Sequence, residues 1–95
     1  MYGRVVIYTY DGDKDELEAK ARDGLIPIVT NTPGYISYGV MFHESRVVSI
    51  SAWESEEHAK AADAAIGEWV KSNTPSLKVE TRITGDFSWL EQAPR

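Results

Sequence analysis

Residues 47–53, VVSISAW, followed directly by ESEE at 54–57, mark the point where a strand passes into a helix. β-Branched and aromatic residues fill the first part and favour a strand. Ser55 is a preferred N-cap residue, and the glutamates that follow it suit the positive end of a helix. The sequence therefore predicts a strand and a helix in direct succession, from which the segments on either side can be assigned.

Downstream of this boundary, the chain is predicted to form the helix and then a last strand. The helix ends at residues 72–75, SNTP, because proline cannot continue it. Its apolar face comprises Ala59, Ala62, Ile66, Trp69 and Val70. Over residues 77–84, apolar or β-branched residues alternate with polar ones, which is typical of a strand with one face in water. Three further apolar residues form a C-terminal hook: Phe87, Trp89 and Leu90.

Upstream, the pattern predicts two more strands and a first helix. Residues 35–42, YISYGVMF, form the second strand, which a short connection at 43–45 joins to the third. Residues 3–10, GRVVIYTY, form the first strand. Between them, an amphipathic helix begins after Asp13, its N-cap, and Pro27 predicts a kink or restart near residues 24–26. Its apolar residues are Leu17, Ala21, Leu25, Ile28 and Val29.

The predicted order β-α-β-β-α-β is that of an α+β, ferredoxin-like domain with an antiparallel sheet, spanning residues 1–95 as one unit. Right-handed crossovers place strands one and three in the centre and strands two and four at the edges. The first strand is apolar on both faces, with Val5 and Ile7 on one and Val6, Tyr8 and Tyr10 on the other. Because two helices cover one face, we expect a second copy to cover the other in a homodimeric α/β barrel.

The composition excludes several classes of protein. A net charge of −5 disfavours nucleic-acid binding, which needs Lys and Arg to neutralise phosphates. With no cysteine, the chain has neither disulfides nor thiolate metal ligands, and neither histidine has a second ligand at metal spacing. No apolar run is long enough to span a membrane, and no secretion signal is evident. The expected location is cytoplasmic.

Three motifs resemble one known family. The Pro33-Gly34-Tyr35 turn, the VVSISAWESEE run of residues 47–57 and the EWV of residues 68–70 are similar to the antibiotic-biosynthesis-monooxygenase group of the dimeric α+β barrel superfamily. The resemblance covers nearly the whole chain and implies this fold and a dimer. It also implies a range of chemistries: cofactor-free oxygenation of polycyclic phenols or anthrones, quinol oxidation, haem degradation and lactone isomerisation.

The haem-degrading branch of this superfamily is disfavoured by the residues themselves. That branch uses an Asn on strand one, a Trp at the end of strand three and a His within helix two. Trp53 matches the Trp, but the strand-one position falls among Val5 and Val6. The helix-two position falls near Asp63, and His58 comes too early in the helix.

Cofactor-free oxygenation needs an apolar cavity that orients an electron-rich substrate, and a base where a proton must be removed. We predict that Trp53 forms a wall, His58 acts as the base and Tyr38 is a polar anchor. Substrate-binding positions are predicted at Tyr8, Tyr35, Trp69 and His43. The competing interpretations are structural: the tryptophans as core, the histidines as exposed surface and the tyrosines as dimer-interface residues.

The function predicted from the sequence is a cofactor-independent monooxygenase that acts on an electron-rich aromatic or a quinol in an apolar pocket. The expected partners are a second copy of the chain and a small apolar or aromatic substrate, with no nucleic acid and no membrane. Two alternatives remain open. One is a non-catalytic dimeric module that binds a small ligand or responds to stress, and the other is a lactone-type isomerase with a histidine base.

Overall fold

A computed structural model describes residues 1–92, and within them the chain forms one antiparallel sheet with helices on one side. The strands are β1 (Tyr2–Thr9), β2 (Tyr35–His43), β3 (Arg46–Trp53) and β4 (Lys78–Asp86). The helices are α1 (Lys14–Lys20), α2 (Ile26–Thr30) and α3 (Glu56–Asn73), and a π-helical segment (Ala21–Leu25) joins α1 to α2. The strand order β2-β3-β1-β4 confirms the predicted ferredoxin-like α+β fold with β1 and β3 in the centre.

The two faces of the sheet differ sharply in burial. The inner face, which the helices cover, includes Val6 opposite Ser49 and Tyr8 opposite Val47, and all four are buried. The open face carries a strip of apolar side chains that no helix covers, of which Met41 is 55% and Ile83 is 58% exposed. The members of this open-face strip are Val5, Ile7, Met41, Val48, Ile50 and Ile83. The predicted two-sided apolar character of β1 is therefore confirmed.

The break expected near Pro27 takes the form of a wider helical turn. The Ile26 backbone N–H donates to the Ala21 carbonyl, five residues back, and the proline lies in the first turn of α2, where it needs no donor. A Cβ on Gly24 would lie 2.7 Å from the Trp69 Nε1 atom. Glycine thus lets the π-helical segment lie directly on the Trp69 indole.

The turn before β2 is fastened to the start of α3. Gly34 has a φ of +84°, in the left-handed region that favours glycine, and a Cβ there would lie 2.3 Å from the His58 Cγ atom. The Glu54 backbone N–H donates to the Gly34 carbonyl at 2.9 Å. The Ser55 hydroxyl accepts from the His58 backbone N–H and so caps α3, as predicted. The Pro33-Gly34-Tyr35 turn and the boundary between β3 and α3 are thus in contact.

After β4 the chain crosses back to the first residues. The Phe87 backbone N–H donates to the Met1 carbonyl at 3.0 Å, and the Phe87 ring lies against Gly3. The expected apolar hook is therefore formed by Phe87, whereas the Trp89 side chain is 77% exposed. Over residues 1–92, no helix combines the length and apolarity needed to cross a membrane.

Candidate functional site

A cavity of about 460 Å³ lies between the inner face of the sheet and the helices. Its volume falls within the range of pockets that hold small molecules. The segment from α1 to the start of α2 forms one side, α3 forms another, and strands β1, β2 and β3 form the floor. The apolar walls include Leu17, Leu25, Ile66 and Val70, and the aromatic walls are Tyr8, Tyr38, Phe42 and Trp69.

The cavity exists because the core consists of two separate clusters. One cluster gathers Leu25, Val29 and Ile66 around Trp53, and the other packs Leu17 and neighbours against Val6. Residues of both clusters line the cavity, which therefore occupies the space between them. An apolar space walled by aromatic rings suits a flat, apolar ligand.

Charged side chains surround the solvent end of the cavity. The Lys14 ammonium lies 5.2 Å from the centroid of the Phe42 ring, a cation–π distance. Arg22 Nη2 lies 3.1 Å from Glu18 Oε1, one turn away on the same helical segment. These groups are exposed, so their pairing adds little to stability and leaves them available at the entrance.

The floor of the cavity carries a small polar group of residues. Ser49 is 2% exposed, and within residues 1–92 its hydroxyl has no hydrogen-bond partner. Burial raises the pKa of the Tyr38 hydroxyl; the nearby Ser49 hydroxyl opposes the rise, Tyr8 adds to it and the Arg4 charge opposes it. The Ser49 and Tyr38 hydroxyls are close without reaching hydrogen-bond geometry. Tyr38 therefore stays protonated at neutral pH and can donate to a ligand.

On the same inner face as this floor lies a partly buried ion pair between β1 and α3. Arg4 is 1% exposed, and its Nε donates to Asp63 Oδ1 at 2.7 Å. The same carboxylate oxygen lies 3.3 Å from the Nε atom of Arg82 in β4. Arg4 Nη1 is also buried and has no hydrogen-bond partner in the described part of the chain. The Arg4 guanidinium is thus buried on the inner face of the sheet, in the row across the strands that also contains Ser51 and Tyr38.

Comparison with known proteins gives no match to a family model and none to a curated sequence. Solved structures do match. A Chloroflexus aurantiacus protein with antibiotic biosynthesis monooxygenase as its suggested activity is 18% identical, with 96% of each chain covered and a TM-score of 0.72. SnoaB from Streptomyces nogalater, described as a cofactor-independent oxygenase, is 15% identical, with 99% of this chain and 97% of SnoaB covered and a TM-score of 0.73. The chain has the antibiotic biosynthesis monooxygenase-like fold.

A third structure with this antibiotic biosynthesis monooxygenase-like fold bears on assembly. It comes from an uncultured marine organism, is described as a dimeric ferredoxin-like protein and is 12% identical, with 97% of this chain and 98% of that one covered and a TM-score of 0.67. The family resemblance seen in the sequence is therefore confirmed as a likeness of fold. At these identities, activity and assembly do not transfer with the fold.

On this antibiotic biosynthesis monooxygenase-like fold, three of the predicted site residues line the cavity together: Tyr8, Tyr38 and Trp69. Trp53, predicted as a wall, is instead fully buried in the core. Its Nε1 donates to the Ser51 hydroxyl at 2.9 Å, and the Tyr35 ring packs edge-on against it with centroids 5.9 Å apart. Trp53 and Tyr35 do not line the cavity, so a ligand there does not touch them.

The histidines also lie away from the cavity lining. The His58 ring packs over Gly34, and its Nδ1 lies 2.8 Å from the Ser55 hydroxyl at the start of α3. His43 is largely exposed, with its Nε2 atom 3.8 Å from Glu44 Oε1. The structure thus gives a ligand in the cavity no histidine to act as a base, and the predicted roles of both residues have no support from their positions.

Sequence analysis did not identify Ser49 or Arg4 as site residues. It named Asp63 only as the position where the haem-degrading branch has a histidine, and not as the partner of Arg4. The signal was available in the alternation of the strands, because Arg4 shares a face with Val6 and Tyr8 in a central strand. A charged residue on the covered face of a central strand needs a buried partner. The sequence did not identify that partner, because Asp63 lies 59 positions after Arg4 in the chain.

Proposed function

We propose that the protein is a cofactor-independent monooxygenase that oxidises an electron-rich aromatic or quinol bound in the cavity. The observation that carries this proposal is the apolar cavity of about 460 Å³ with Tyr8, Tyr38 and Trp69 on its walls. The fold, shared with a structure described as a cofactor-independent oxygenase, supports it. Trp69 would stack on the substrate, and Tyr38 would donate a hydrogen bond to one of its oxygens.

For an anthrone, the reaction would convert a methylene group into a carbonyl. The anion formed by loss of one proton gives electrons to dioxygen, one oxygen atom bonds to the carbon, and the other leaves as water. The carbon loses two hydrogens and four electrons, and dioxygen takes up those four electrons. The chain would contribute orientation and a dry, apolar space in which the anion meets dioxygen.

The same proposal includes a homodimer built on the open face. Side chains of the open-face strip are apolar, and Met41, Ile50 and Ile83 are 55%, 42% and 58% exposed. An apolar face of this kind marks an interaction surface. Two copies related by a twofold axis would cover each other's strips, because such an interface brings the same patch of both subunits together. The bidentate pair of Arg46 and Glu80, at 2.8 and 3.2 Å, would lie at its polar rim.

The proposal is tested by following dissolved oxygen while the purified protein is offered a panel of quinols and anthrones. We expect uptake that depends on folded protein and falls by about tenfold or more in Trp69→Leu, because a poorly positioned substrate reacts slowly. Trp89→Leu is the matched control, since this exposed tryptophan does not line the cavity, and it should leave the rate unchanged.

The panel also decides between this function and its alternatives. No uptake with any substrate, while the same compounds bind at the cavity, would reject the oxygenase and leave a ligand-binding module. Equal loss of activity in Trp69→Leu and Trp89→Leu would reject the cavity as the site. The lactone isomerase is the weaker alternative, because it needs a histidine base and neither His43 nor His58 lines the cavity.

A further inference from the structure

A groove of about 290 Å³ lies between α3 and β4, on the helix side of the sheet. It exists because α3 packs over β1 and β3 and leaves β4, all of whose residues are exposed, largely uncovered. Val79 lies opposite the buried Tyr8 on the inner face, yet it is 50% exposed. Tyr8, Val70 and Leu77 line both the groove and the cavity and so form the wall between them. A dimer built on the open face would leave the groove accessible.

One face of α3 forms the helical side of the groove. Gly67, Val70 and Lys71 are related by steps of three and four residues and therefore lie on the same side of the helix. Glycine in a helix interior lowers helix stability relative to alanine. Neither close packing nor a positive φ requires glycine at position 67, because no atom lies within 4 Å of its Cβ position. Its effect is to leave bare backbone facing the groove, which gives a ligand room.

Every charged side chain that lines the groove is a cation: Lys71 from α3, and Lys78 and Arg82 from β4. This sign is opposite to that of the whole chain, which has 15 acidic and 10 basic residues. Arg82 is partly neutralised, because its Nε lies 3.3 Å from Asp63 Oδ1. Among residues 1–92, neither lysine forms an ion pair. The groove therefore carries two lysine charges without a counter-charge.

The carboxylates of the neighbouring elements do not cancel these charges. Asp63 in α3 is shared by two arginines, and Glu80 in β4 pairs with Arg46 at 2.8 Å. Glu68 follows Gly67 by one residue, which is about 100° around the helix, and it does not line the groove. The groove is thus locally positive, and because its lysines are exposed, salt should weaken its attraction for anions.

We propose that this groove binds a phosphate monoester carried on an apolar ring or a short apolar chain. Such a phosphate has a charge of about −1.5 to −2 at neutral pH, which matches the two lysine charges. The apolar part would lie against Leu77, Val79 and the bare backbone at Gly67. This inference goes beyond the proposed oxygenase and does not depend on it, because none of the three cations lines the cavity.

The probe is phenyl phosphate, titrated calorimetrically into the full chain at low and at physiological salt. We expect one molecule to bind per chain, and to bind more weakly at the higher salt. Inorganic phosphate lacks the ring and benzyl alcohol lacks the charge, so each should bind at least about tenfold more weakly. No binding of phenyl phosphate, or equal binding of either fragment, would overturn the proposal.

Substitutions in the groove have matched controls elsewhere on α3. Lys71→Gln and Lys78→Gln should each weaken binding by about fivefold, the effect of one nearby charge in water. Lys60→Gln removes the same charge from an exposed position outside the groove and should leave binding unchanged. Gly67→Leu should abolish binding by filling the groove, whereas Ala61→Leu, also exposed and outside it, should not. Equal effects of a groove variant and its control would overturn the proposal.

Trp69→Leu separates the groove from the cavity, because Trp69 lines only the cavity. Binding of phenyl phosphate should be unchanged in this variant. Binding that is lost in Trp69→Leu and kept in Gly67→Leu would place the probe in the cavity and overturn the proposal. The groove substitutions are at exposed positions, so circular dichroism should show folded protein in each case. Oxygen uptake is measured separately, so failure of the oxygenase and failure of this site are distinguishable.

Discussion

At the scale of single residues, the chemistry of the cavity depends on a few hydroxyl groups in apolar surroundings. Tyr38 is the clearest case, because burial raises the pKa of its hydroxyl above the usual 10.0. Tyr38 was predicted to be a site residue because it is a tyrosine, with a hydroxyl that can anchor a substrate, and because it lies on a predicted strand. The sequence did not reveal Ser49, since a serine within VVSISAW has the same appearance whether its hydroxyl is paired or not.

The raised pKa of Tyr38 makes a prediction for alkaline conditions. The folded state holds this proton to a higher pH than the unfolded state, so its contribution to stability is complete below pH 10.0 and is lost as the pH rises through the folded-state value. The free energy of unfolding of the parent protein should therefore fall faster above pH 10.0 than that of Tyr38→Phe, by up to about 1.4 kcal/mol per pH unit.

Urea unfolding at a series of pH values from neutral to alkaline measures this difference. Tyr10→Phe serves as the matched control: the pKa of Tyr10 is also raised, but its hydroxyl donates to the Asp13 carbonyl in an exposed hydrogen bond, where water screens the effect, so it should contribute little. Parallel curves for the parent protein and Tyr38→Phe above pH 10.0 would contradict the assignment of a buried, protonated hydroxyl.

At the scale of elements, the first helical segment shows how far sequence spacing can predict structure. Its buried or partly buried residues Leu17, Ala21, Leu25 and Val29 recur every four residues. In an α-helix of 3.6 residues per turn, a strict four-residue repeat drifts by about 40° at each step. The wider turn of Ala21–Leu25 removes part of that drift and keeps the stripe on the sheet. Pro27 predicted the place of the irregularity, but not that the helix would widen instead of ending.

The contact between the Gly34 turn and the start of α3 leads to a prediction about the free energy of unfolding. Gly34→Ala introduces both a strained backbone at φ +84° and a contact with the His58 ring, so it should destabilise the fold by about 2–4 kcal/mol. The double variant Gly34→Ala with His58→Ala should recover the part due to the contact and not the part due to φ. Thermal and urea unfolding of the single and double variants measure both parts.

Two outcomes would contradict this explanation of the junction. Full recovery in the double variant would show that backbone conformation contributes nothing, and no recovery would show that the His58 contact contributes nothing. Gly39→Ala is the control substitution, because no atom lies within 4 Å of the Cβ position there and φ is not in the left-handed region.

At the scale of the whole molecule, the apolar strip on the open face makes assembly testable. Ile83→Lys places a charge in that strip and should convert the proposed dimer into a monomer, because a buried unpaired charge in an interface is costly. Val79→Lys is the matched control: the residue is on the same strand, is 50% exposed and lies opposite Tyr8 of the inner face. Sedimentation velocity gives the mass of each variant, and a monomeric parent protein would reject the dimer.

The overall topology was predictable from the sequence for a physical reason. The switch between two-residue and helical periods is local, and right-handed crossovers leave few ways to join β-α-β units. The candidate site was less predictable because it depends on contacts between distant positions. The pairing of Arg4 with Asp63, and the packing of Trp53 into the core in place of a cavity wall, both follow from how α3 lies on the sheet.

The opposed faces of the central strands also have a genetic consequence. In β1, Arg4, Val6 and Tyr8 point to the helices, and the odd-numbered Val5 and Ile7 point away. In β3 the parity is reversed, with Ser49 and Ser51 on the helix side. A systematic mutational scan of these strands should therefore alternate between two phenotypes along the sequence. Substitutions on the helix side would impair folding or the cavity, and substitutions on the open side would impair self-association, so adjacent codons would give separable alleles.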